Sequence, residues 1–150
     1  MFTQNEFVLL SKGFAAQTIE MTLDRGKEAL PDQEVQKRFA REYLVVIRMG
    51  LGLIFAANPL ADRLLQAMDE EVESFDPQYP ELLTERMNHY FDVLGKAKFP
   101  KTGPGGLLVE AMAEFVQLPS WLKKWCVETF SEAFVFVQQD LVAPYVRRIS

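Results

Sequence analysis

Residues 43–59 read YLVVIRMGLGLIFAANP, a run that is apolar on every side of a helix, with Arg48 near its centre and Gly50 and Gly52 just beyond. A bilayer-spanning helix needs roughly 20 apolar residues, whereas Tyr43 to Ala57 offers about 15 with a charge in the middle. The strongly charged DQEVQKRFARE leads directly into it. A helix apolar all round and too short to cross a membrane belongs at the centre of a helical core, surrounded by neighbours. The rest of the chain therefore has to supply those neighbours.

Prolines and glycines fall between runs of helical period, and no segment alternates apolar and polar as a half-buried strand would. The pattern predicts six helices. The first opens at Thr3, where Thr3 and Glu6 have capping-box spacing, carries Phe7, Leu10, Phe14 and Met21 on one face, and runs to Gly26. The second starts near Asp32 and continues through the quoted run to Asn58. Asn58 and Pro59 then read as N-cap and first residue of the third, which carries Leu60, Leu64, Leu65, Met68 and Val72. The fourth covers about 80 to 95, with Leu83, Met87, Tyr90, Phe91 and Leu94 on one face and Gly95 as its C-cap. After the loop KAKFPKTGPGG comes a short fifth helix with Leu108, Ala111, Met112 and Phe115. The sixth begins near Ser120 and bends before Pro144.

Helices joined by short connections pack antiparallel, so the expected architecture is all-α: a single-domain, irregular helical bundle over residues 1–150, with helices 2 and 6 central. A chain of 150 residues, 49% apolar and 25% charged, is long enough to bury roughly two thirds of its unfolded surface in one core. The net charge of −5 argues against a nucleic-acid partner, which would need clustered Lys and Arg. One cysteine, Cys126, excludes an internal disulfide, and MFTQNEFVLLSKG lacks the basic and apolar regions of a secretory signal. A cytoplasmic protein without a membrane span is expected.

No trusted catalytic motif is present, and no reaction class follows. In KFPKTGPGG, Lys101 with Gly103, Gly105 and Gly106 could present amides and charge to an anion, but a Walker loop places its lysine after the glycines and follows a strand. The only histidine, His89, lines up with Glu81 and Glu85, near Asp92, on the face of helix 4 opposite its apolar stripe. That face reads as solvated, and no metal or other cofactor is expected. The acidic run DEEVESFD, residues 69–76, reads as a solvated helix end or a docking patch for a basic partner. Cys126, on the inner side of helix 6 near Leu122 and Phe130, reads as a buried, inert thiol.

Two polar residues remain misplaced. Angular placement at about 100° per residue puts Asp140 on the inward face of helix 6 and Arg48 at the end of a stripe made by Glu34, Lys37 and Arg41. Gly50 and Gly52 each cost about 1 kcal/mol relative to alanine inside a helix, which points to close approach of a backbone or a ligand. The expectation is that Arg48 faces a gap beside Gly52 and is balanced by Asp140, or failing that Glu20 or Asp24, as a structural ion pair. Two alternatives are an anion clamp for a small amphipathic ligand, built from Arg48, Gly52 and Asp140, and an arginine that snorkels to water. Helix 6 also carries more apolar residues than one core can take. Trp121, Trp125, Phe134 and Phe136 are interface candidates, and a non-enzymatic interaction or regulatory protein acting as a homodimer is the leading functional expectation.

Overall fold

The first three helices start where a side chain can satisfy otherwise free amides. In the computed structural model, which describes residues 3–96 and 103–145, Thr3 Oγ1 accepts from the Glu6 amide at 3.1 Å while the Glu6 carboxylate accepts from the Thr3 amide at 2.9 Å. Asp32 caps Val35 and Asn58 caps Leu60, both at 2.9 Å, with Pro59 pre-set for the first helical position. The helices are α1 (Gln4–Ala29), α2 (Gln33–Ile54), α3 (Pro59–Phe75), α4 (Tyr79–Lys96), α5 (Gly103–Met112) and α6 (Ser120–Phe136). A π-helical turn, Val137–Val142, extends α6, and among the described residues there is no strand. The protein is an all-α helical bundle, and no described helix is long and apolar enough to cross a membrane.

Helix α2 is the centre. It packs against α1, α3, α4, α5 and α6, and every residue from Tyr43 to Leu51 except Arg48 is buried. Each fully buried Leu, Ile or Val of this run contributes on the order of 1.5–3 kcal/mol, so the stretch without a polar face is the main source of cohesion. Helix α6 enters the core along a narrower stripe, Leu122, Cys126 and Phe130, and leaves its outer face to solvent. Gly95, expected as a C-cap, lies inside α4. Helix α2 stops at Ile54 rather than at Asn58: Phe55, Ala56 and Ala57 form the turn, and Asn58 caps α3.

The two glycines of α2 have different reasons. A Cβ on Gly50 would stand 2.7 Å from Phe130 Cζ and well inside contact with Phe134 Cζ. On the opposite edge of the Phe130 ring, a Cβ on Gly105 would approach Cδ1 to 2.9 Å. The ring is thus clasped between two glycine backbones, which lets α2 and α5 close on α6. At Gly52 the nearest atoms are Arg48 Nη1 at 3.4 Å and Leu65 Cδ1 at 4.0 Å, so the gap is occupied by the chain's own arginine.

The bend expected at Pro144 takes the form of the π-helical turn. Proline has no amide to donate to Asp140 and crowds that carbonyl, and the helix widens so that the Ala143 amide reaches back five residues to Gln138. Each residue of a π turn advances less around the axis than an α residue. Val137, Leu141 and Val142 are therefore buried, and Asp140, placed inward by α-helical spacing, is exposed.

Candidate functional site

Three ion pairs fasten α2 to α3 and α4. Arg41 donates to both carboxylate oxygens of the fully buried Asp76, from Nη2 at 3.1 Å and from Nε, and Nη2 also reaches Gln78 Oε1 at 3.0 Å. Burial alone would push the Asp76 carboxyl up, but the Arg41 bonds more than offset it and hold the acid below its ordinary value. Glu42, 1% exposed, accepts from Arg86 Nε with both oxygens, and the Arg86 guanidinium lies 4.0 Å above the Phe115 ring. Here desolvation outweighs Arg86, and the Glu42 carboxyl sits above its ordinary value.

The third pair answers the question raised by Arg48. Its partner is Asp69 of α3, with Nε at 3.2 Å from Oδ1 and Nη2 at 3.3 Å from Oδ2, and Tyr79 donates its hydroxyl to Asp69 at 2.9 Å. The pairing with Asp140 is therefore corrected: helix α3, not α6, covers this end of the Arg41–Arg48 stripe. The cleft beside Arg48 is lined by Asp62, Asp69, Glu70 and Glu73, the electrostatic opposite of an anion site. Because Arg48 and Asp69 are 21% and 31% exposed, Arg48→Met is expected to change stability by less than about 1 kcal/mol in urea denaturation.

The other sequence candidates are dispersed. Lys101 lies outside the described residues, and Gly105 and Gly106 fall in the first turn of α5, where Gly105 makes room for Phe130. Gly103 begins that helix. Glu81, Glu85 and Asp92 are exposed, while His89 is half-buried, edge-on to Phe115 at 5.0 Å and bonded to Glu114 at 3.2 Å. The acidic run is partly structural, since Asp69 and Asp76 anchor to arginines and Glu70 pairs with Lys12 at 3.2 Å. Cys126 is buried and its thiol is pushed up to about 12 by desolvation, which keeps it protonated and inert. Glu42 and Arg86 escaped the sequence reading. Their only signal was that Glu42 directly follows the polar stripe and opens the apolar run.

A concave surface with a volume of about 230 Å³ runs between α1 and α6 over a floor of Tyr43 and Ile47 from α2. Phe14, Thr18 and Met21 form one wall, and Trp125, Thr129, Glu132, Ala133 and Phe136 the other. The floor is fixed: Tyr43 Oη lies 2.6 Å from Thr129 Oγ1, which itself donates to the Trp125 carbonyl at 2.7 Å. Phe14 stacks on Phe136 at 5.7 Å to close one end. At the other, the Arg25 guanidinium lies 5.7 Å from the Trp125 ring centre.

Some of the exposed large apolar side chains lie at or next to this groove, while Leu9, Leu53, Ile54, Phe91 and Val135 are exposed and do not line it. Met21 is 42% and Phe136 41% exposed at its rim; Leu10 and Trp121, one helical turn from the lining residues Phe14 and Trp125, are 39% and 46% exposed. Phe134 is turned away, edge-on to Phe130 at 4.2 Å and over Gly50. Leu10 and Met21, expected on the same face as Phe7 and Phe14, are instead exposed, Met21 at the groove rim. Comparison with protein-family profiles, with curated proteins and with solved structures finds no match to this chain.

Proposed function

We propose that this chain is a non-enzymatic interaction protein that works as a homodimer, and that the groove between α1 and α6 is its contact surface. The observation that carries the reading is a groove with a rigid floor whose rim bears exposed Met21 and Phe136, with exposed Leu10 and Trp121 one helical turn beyond its two ends. Scattered exposed apolar residues need no explanation, whereas a contiguous set beside a concavity favours association. Aromatic and methionine side chains are also the types enriched where protein surfaces meet. A cytoplasmic setting fits a chain whose one cysteine is buried.

Sedimentation equilibrium is expected to give twice the 17.2 kDa chain mass. Phe136→Lys, which places a charge at the groove rim, should shift the protein to monomer with its helical circular dichroism retained. A wild-type chain that stays monomeric at every concentration up to its solubility limit would sink the reading.

A further inference from the structure

Resting on that dimer reading, the geometry points to one particular two-fold arrangement, in which Glu132 of each copy pairs with Arg25 of the other across the groove. The contacts Phe14–Phe136 and Arg25–Trp125 are eleven residues apart on either helix, so α1 and α6 run antiparallel and in register. Thr18 is then level with Glu132, and Met21 with Thr129; all four line the groove.

A dimer of identical chains has to present the same surface twice, so each feature at one end must be met by its complement at the other. The groove has this property. Arg25 stands at one end and Glu132 about 10 Å along it, at the level of Thr18. An axis perpendicular to the groove midway between them passes beside Met21 and Thr129. Lying in the plane of contact, it sets α1 on α1 and α6 on α6, and because the Arg25 guanidinium reaches over Trp125 on the α6 wall, that guanidinium comes over Glu132 of the other copy, twice. The same axis, placed only by charge, also carries exposed Trp121 onto the level of the other copy's exposed Phe136 and sets the two Met21 side chains against each other. Charge and apolar surface thus agree on one axis.

Both charged groups have hydrogen-bonding capacity to spare. Arg25 donates from Nη1 to Glu28 at 3.0 Å, which leaves other guanidinium donors, and its side chain is 43% exposed. Glu132 is exposed and has no ion-pair partner among the described residues. A head-to-tail contact would leave one Arg25 and one Glu132 unmatched and would not close.

Charge exchange tests the arrangement. Glu132→Arg and Arg25→Glu should each weaken the dimer by at least about tenfold in Kd, since each creates two like-charge contacts, and the double variant should return to within about threefold of wild type. As a second measurement, Met21→Cys beside the axis should give a covalent dimer on treatment with diamide, which takes up the two electrons and two protons lost by the thiols. The native Cys126 is buried and should not react. Single variants that leave Kd unchanged, a double variant that is not rescued, or a Met21→Cys protein that stays uncrosslinked would overturn this axis while the dimer itself stands. A monomeric wild type would remove both the axis and the reading beneath it.

Discussion

Arg86→Met is expected to lower the stability of the fold by about 3 to 5 kcal/mol, because it strands a buried carboxylate without its counter-charge. Glu42 is 1% exposed and accepts from Arg86 through both oxygens. Methionine preserves the apolar stem and its contact with Phe115, so the loss isolates the charge. Glu42→Gln in the Arg86→Met background should recover most of the loss, and equilibrium urea unfolding of the three proteins reads it directly.

The pH dependence has a definite sign. The folded pKa of Glu42 lies above its unfolded value of about 4.3, so the folded state binds the proton more tightly. Stability from this group therefore increases as pH falls through the folded pKa toward the unfolded one, and Arg86→Met should be partly rescued by mild acid. Asp76 acts in the opposite sense. Its folded pKa is depressed, so its contribution is present above about 3.9 and is lost as pH falls through the folded value. An Arg86→Met protein no more stable in mild acid than at neutral pH would refute the assignment of a stranded Glu42 carboxylate.

Substitutions at two glycines only two residues apart should move stability in opposite directions. Gly50→Val is expected to cost about 2 to 3 kcal/mol, since its Cβ would overlap the Phe134 ring and press on Phe130, and the overlap exceeds any gain in helix propensity. Gly52→Ala should instead stabilise by about 0.5–1 kcal/mol, because its new methyl meets only the flexible end of Arg48 and it removes the entropic penalty of glycine. Adding Phe134→Leu to Gly50→Val should return part of the loss by opening space. Thermal unfolding of the set would contradict the clasp around Phe130 if Gly50→Val proved neutral.

Much of the fold was legible because local chemistry and pattern agree. The Thr3–Glu6 box, Asp32, and Asn58–Pro59 mark helix starts through groups that act within one turn. The all-round apolar run could only be a buried helix once its length excluded a span. Partners across the bundle are another matter. Arg48 sits on the predicted stripe, but the choice of Asp69 over Asp140 depends on which helix covers that stripe and on a π turn that rotates Asp140 outward.

The same division runs through the whole protein. By itself the sequence determined what depends on periodicity and neighbouring residues: an all-α bundle, the capped starts of its first three helices, the central place of α2 and a surplus of apolar residues on α6; the start of α5 at Gly103, inside the expected loop, was not legible in it. Only the tertiary structure decided which arginine meets which carboxylate, why Gly50 must lack a side chain, and which side chains line the groove between α1 and α6. Those outcomes rest on distances between segments far apart in the chain, fixed by how whole helices pack, and no local propensity encodes them.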